Sequence, residues 1–206
     1  MRNELYYIVP FLAYVFSFVL SDAFNLNYYV GYSLRAVLTF ALLVYFWKSY
    51  KVSFRLDIRA VLWGLAIAVV WLLLENQFIS VKASEFNPFA LPNLSFVLVL
   101  VKVFSMVIVA PAIEELFTRS FLIRFFISAD KWEKVRIGKF TLVSFISTVV
   151  FFGFMHSRWL QGIVSGVMFT FVLYRTKRID SCIQAHAIAN LALALVAVFS
   201  QNWYLW

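Results

Sequence analysis

The sequence predicts an all-α protein, a polytopic membrane helix bundle of seven to eight transmembrane helices that makes one transmembrane domain of residues 1–206. Three observations carry this expectation. Hydrophobic residues make up 64% of the chain and charged residues only 14%, whereas soluble domains are nearer half apolar. Aromatic residues reach 20%, with 24 Phe, which suits lipid-facing helices and interfacial anchors better than a water-soluble core. The apolar residues also fall into runs near the ~20 residues that a helix needs to cross a bilayer.

Seven such windows follow one another, at about residues 5–20, 30–47, 59–78, 96–127, 140–156, 160–174 and 179–200. The first has a short charged start like a signal peptide. It lacks a small-x-small cleavage site and carries Pro10, so it reads as a retained helix. The fourth is too long for one straight span. Pro111 is its natural kink, because proline removes a backbone donor and clashes with the preceding turn. The turn-rich KASEFNPFALPN, residues 82–93, reads as an outer connector or as a lid. No internal repeat or low-complexity tract is present.

The net charge of +8 does not mark nucleic-acid binding, since the basic residues sit between apolar runs instead of forming one patch. Thirteen of the eighteen Lys and Arg fall in alternate loops: Arg2, then Lys48, Lys51, Arg55 and Arg59, then Arg124, Lys131, Lys134, Arg136 and Lys139, then Arg175, Lys177 and Arg178. The intervening loops hold Lys82 and Arg158. Cytoplasmic loops are enriched in Lys and Arg, so this pattern places the N-terminus inside. Arg35, Lys102 and Arg119 lie within apolar segments. Cys182 is the single cysteine, which excludes an intramolecular disulfide and a Cys-based zinc finger.

Ionisable groups within hydrocarbon cost several kcal/mol each and turn inward toward partners or water. They occur here in three places: Glu114, Glu115 and Arg119 in PAIEELFTR, His156 in FFGFMHSRW, and His186 with Asn190 in CIQAHAIANLALAL. Helix positions four apart share a face. Glu115 can therefore pair with Arg119 while Glu114, turned by about 100°, stays available as a general base. Phe152 and His156, and His186 and Asn190, have the same spacing. Singly, each has an ordinary explanation: a buried ion pair, an interfacial histidine, a helix–helix hydrogen bond. Together, from three spans, they supply the parts for water activation and oxyanion stabilisation. At ~1.5 Å per residue, Glu114 lies about 20 Å from Ile127, Asn190 about 16 Å and His186 about 10 Å from Ile179. His156 counted from Gly138 comes out deeper, at roughly 27 Å, unless the start of its helix protrudes.

These three motifs, E-E-x-x-x-R, F-x-x-x-H and H-x-x-x-N in order, resemble those of the CAAX-protease and bacteriocin-processing (CPBP, Abi) family of intramembrane proteases. The eukaryotic members of that family remove the last three residues of prenylated proteins. PAIEELFTRSFLIRFF is similar, more narrowly, to CAAX prenyl protease-related proteins that accompany bacterial exosortases. The motifs cover roughly residues 110–195, within a catalytic core of about 96–200. The resemblance implies a glutamate-dependent endopeptidase without a cofactor, in the bacterial cytoplasmic membrane, acting on a lipidated or membrane-embedded protein among membrane lipids. It also implies that Glu114 and His156 activate water, that His186 and Asn190 hold the oxyanion, and that Glu115, Arg119 and Phe152 support them.

The residues themselves leave alternatives open. Glu114, His156 and His186 are a possible zinc set, although no H-E-x-x-H is present. A non-catalytic peptide- or lipid-binding or immunity protein would use the same cavity, and a transporter would use Glu and His as a proton relay.

Overall fold

The structure, a computed structural model, describes residues 3–75 and 86–203, and Lys82 with the first part of the 82–93 connector lies outside them. The described chain is all-helical. Seven long helices follow the seven windows: α1 Leu5–Ala23, α2 Tyr28–Tyr50, α3 Ile58–Leu74, α4 Ser95–Ile127, α5 Leu142–Phe154, α6 Trp159–Thr176 and α7 Ile179–Ser200. The end of the 59–78 window extends past the described residues.

Among the described residues, helix length and composition identify four spans and do not confirm the expected seven to eight. Four, α1, α2, α4 and α7, are long and apolar enough to cross a membrane. α3 and α5 are apolar but only 17 and 13 residues long. Windowed hydropathy runs on through loop residues, and helix length does not.

Local chemistry sets the helix ends. The side chains of Asn27, Asp57 and Thr141 accept from the main-chain N–H two or three residues on, capping α2, α3 and α5. Lys51, Lys177 and Gln201 close α2, α6 and α7 in the left-handed conformation. Asp57 also accepts from Ser181 Oγ at 2.9 Å, tying the start of α3 to α7. Its hydrogen bond from the Arg59 guanidinium, above all, holds its carboxyl below the ordinary carboxylate value.

Both helix-interior prolines leave a carbonyl without its main-chain donor, and another helix supplies one each time. Pro10 deprives the Tyr6 carbonyl in α1, and Tyr50 Oη of α2 donates to it at 2.8 Å. In α4 the helix widens into two π-helical stretches, Ser105–Val109 and Leu116–Leu122, on either side of Ala110–Glu115. The Ala110 N–H reaches back five residues to the Ser105 carbonyl. In that register the next donor would serve Met106, but residue 111 is proline and has none.

α3 lies along α7, α1 along α2 and α5 along α6, with α4 in contact with α1, α2, α5 and α7. The solvation pattern inverts that of a soluble protein. Tyr45, Phe96, Phe154 and Phe199 are largely exposed, while Glu115 and Arg119 are fully buried with Thr118, Ser165 and His186 beside them. An apolar exterior around a polar interior is the arrangement for a chain solvated by lipid. The basic loops meet at one end of the bundle: Lys177 Nζ donates to the Gly138 carbonyl at 2.6 Å and Arg178 to the Arg55 carbonyl at 2.8 Å. At the other end Arg158 makes a two-pronged pair with Glu75, at 2.8 and 2.9 Å.

Candidate functional site

Four helices bring the polar residues together. α4 supplies Glu114, Glu115 and Arg119, α5 and the turn after it supply Phe152 and His156, and α7 supplies His186 and Asn190. α6 adds a wall, although it carries none of the three motifs. It can approach closely because its GIVSG segment puts Gly162 and Gly166 one turn apart. A Cβ at Gly162 would stand 3.0 Å from the Gly153 Cα and 3.2 Å from the His156 Cβ, and one at Gly166 would stand 3.2 Å from the Phe152 ring. That small-x-x-x-small spacing was a legible signal for the contact.

Glu115 is the hub of a dry network. Its Oε2 lies 3.3 Å from Arg119 Nε, an ion pair one helical turn apart with both side chains fully buried. The two atoms are not aligned as a hydrogen bond, so the attraction is that of charges at close range. Glu115 Oε1 faces His186 Nδ1 at 2.9 Å. The Arg119 guanidinium spends its donors on Thr118 Oγ1, at 2.6 Å, and the Gly166 carbonyl, at 3.2 Å. It also lies over the Phe152 ring, 4.1 Å from the centroid, where a desolvated cation gains from the ring's negative face.

Glu114, by contrast, faces space. Its Oε2 is 3.9 Å from His156 Nε2 and 4.0 Å from His186 Nε2, and it has no hydrogen-bond partner among the described residues. Each imidazole has its other nitrogen engaged. His156 Nδ1 is 2.7 Å from the Phe152 carbonyl, which can only accept, so Nδ1 carries a hydrogen. His186 Nδ1 meets the Glu115 carboxylate. Both Nε2 atoms are thereby turned toward Glu114. Phe169 stacks on the His186 ring at 4.4 Å, and Trp71 stands edge-on to His156 at 6.0 Å. Neither residue carries a sequence signature, since an aromatic residue in an apolar helix is unremarkable until its neighbour is known.

His186 and Asn190, expected together, are engaged by different partners. His186 is turned to the two glutamates, and Asn190 Nδ2 donates to the Met106 carbonyl at 2.8 Å, the acceptor stranded by Pro111. The expected depth of His156 is also corrected. α5 begins at Leu142, not Gly138, which puts His156 about 21 Å along, level with Glu114.

Two spaces meet at Glu114. A cavity of about 150 Å³ is lined by Glu114, His156, His186, Asn190 and Ser165. A groove of about 440 Å³ has Glu114 and His156 on one wall, Arg35 on another, and Phe11, Val15, Val19, Phe151 and Met155 around them. Among the described residues no group of three or more His, Cys, Asp or Glu side chains is placed to hold a metal ion.

No curated protein and no solved structure matches the chain. Residues 96–192 match a family model described as type II CAAX prenyl endopeptidase Rce1-like. Every polar residue around Glu114 contributed by α4, α5, α6 and α7 falls in that segment. The chain is an integral membrane protein, with four helices long and apolar enough to cross a bilayer, and its residues 96–192 are similar to the Rce1-like type II CAAX prenyl endopeptidase family.

Proposed function

We propose that the protein is an intramembrane endopeptidase that hydrolyses a peptide bond of a lipidated or membrane-embedded protein with a water activated by Glu114 and His156. The observation that carries this reading is the unpartnered Glu114 Oε2, with two imidazole Nε2 atoms near 4 Å from it. That gap is too long for a direct hydrogen bond, and one water at ~2.8 Å from each atom spans it. Glu114 takes the proton as the water attacks the scissile carbonyl, with His156 Nε2 aligning the same water, and returns it to the leaving amine as the C–N bond breaks. His186 is held in place at its Nδ1 by the Glu115 carboxylate. With the second hydrogen of the Asn190 amide, it holds the developing oxyanion. Arg119 and Phe152 keep Glu115 in place. The apolar groove receives the substrate chain, and the water lies in the smaller cavity.

We place the N-terminus and the basic end on the cytoplasmic side of the bacterial cytoplasmic membrane, on the excess of Lys and Arg there and on the family resemblance. The shorter helices count as spans on this reading, making seven.

The test incubates the purified full chain with lipidated and unlipidated membrane peptides, with and without chelator, and reads products by mass. Chelator-insensitive cleavage that disappears in Glu114→Gln is expected. Retained cleavage in that variant refutes the base assignment, and loss restored by zinc replaces it with a metal mechanism. Saturable binding of uncut peptide makes the protein a binding module instead.

A further inference from the structure

A cavity of about 740 Å³ opens at the basic end of the bundle, away from Glu114. Five cations line it, Lys51, Arg55, Arg124, Lys177 and Arg178, against two carboxylates, Glu133 and Asp180. Asp180 is already committed, through its ion pair with Arg178 and the Arg55 main-chain N–H that it accepts at 3.0 Å. Arg124 is only 8% exposed. Its guanidinium lies over the Trp132 ring, 4.7 Å from the centroid. It also donates to the Ser120 carbonyl, and to the Ser120 hydroxyl at 3.0 Å. Among the described residues it has no carboxylate within ion-pair distance. This nearly buried cation, set among the Trp132 ring, Ser120 and Tyr7 with Glu133 as its nearby opposite charge and with Lys51 and Arg55 exposed at the same cavity, suits a multi-oxygen anion. A tetrahedral phosphate supplies acceptors in several directions and the charge to match.

The surroundings indicate where that phosphate comes from. Beside Arg55 the chain exposes Phe54, Leu56 and Ile58, at 54%, 98% and 71%, an apolar flank between the end of α2 and the start of α3. Basic pockets between helices at a membrane surface hold anionic lipid head groups. We propose that this cavity binds the phosphate of an anionic membrane phospholipid, with Arg124 at its floor, Lys51 and Arg55 as further ligands, and the acyl chains running along the Phe54–Ile58 flank. A soluble phosphate offers the same chemistry, so the experiment separates the two.

The full chain in uncharged detergent is heated with short-chain phosphatidylglycerol, short-chain phosphatidylcholine, or inorganic phosphate at equal phosphorus concentration. Phosphatidylglycerol is expected to raise Tm by several degrees, because a ligand of the folded state alone stabilises it by mass action, and the other two to leave it within a degree. The double variant Lys51→Gln, Arg55→Gln alters only exposed side chains. It is expected to melt like the native chain without lipid and to lose most of the shift. Lys131→Gln with Lys134→Gln, outside the cavity, is expected to keep it. Equal shifts with both lipids, an intact shift in the first double variant, or an equal loss in the second overturns the proposal. An equal shift with inorganic phosphate overturns the lipid as its source.

Discussion

Asn190 Nδ2 donates to the carbonyl oxygen of Met106 at 2.8 Å, and Met106 needs that donor because the residue five positions on is Pro111. A side chain that lines the cavity beside Glu114 therefore also closes a gap in the backbone of the helix that carries Glu114. Asn190→Ala is expected to lower stability by about 1–3 kcal/mol, the penalty for a buried acceptor left unmade. Pro111→Ala returns a main-chain donor, so the double variant should lose less than the two single losses added. Chemical unfolding of the four proteins in detergent checks it, and strict additivity would mean that the two residues are not linked.

Glu114→Gln preserves shape and removes the carboxylate. Activity is expected to fall by a factor of about 10² or more, the usual scale for losing a general base. The melting temperature should stay where it is, because Glu114 Oε2 has no partner to lose. Single-turnover cleavage beside a melting curve separates the two effects.

Arg119→Leu should act the opposite way, on stability first. Glu115 and Arg119 are both fully buried, and removing one partner of such a pair costs about 3–5 kcal/mol. Glu115→Gln in the Arg119→Leu background removes the stranded charge and should recover part of the loss. If the double variant is no more stable than Arg119→Leu alone, the ion pair is not what Arg119 provides.

Acid should loosen the junction between α3 and α7 through Asp57. Its folded-state pKa lies below the unfolded one, so the stabilisation is present in full above the ordinary carboxylate range and is lost as pH falls through the depressed folded value. Asp57→Asn keeps a capping oxygen and should be less stable than the native chain at neutral pH. That difference should narrow as pH falls below the unfolded carboxylate value of about 3.9. A constant difference across that range would remove the carboxylate from the account.

The candidate site was legible in the sequence where its logic is local. Glu115 and Arg119 pair because they are one turn apart on one helix, and Glu114, a residue away, must face elsewhere. The cost of these groups in hydrocarbon predicts that α4, α5 and α7 turn them toward one shared interior. Spacing within one helix says nothing about the partner across an interface, so the His186–Glu115 contact and the cover of Phe169 and Trp71 were not legible. The depth of His156 was not legible, because the start of a helix after a polar loop depends on its Thr141 cap, which hydropathy does not weigh.

By itself, the sequence determined the membrane class, the seven helical segments, the order of the three polar motifs and the gathering of Lys and Arg in alternate loops. These follow from solvation and from helical periodicity, which act along the chain. Tertiary structure alone decided that the helix holding both glutamates widens around Pro111, that Asn190 serves the Met106 carbonyl, and that Glu114 is left facing a cavity while Glu115 is fully engaged. Which buried donors and acceptors find one another is settled by packing between helices distant in sequence, where every unpaired group in a low-dielectric interior must be met or must face a space that admits water.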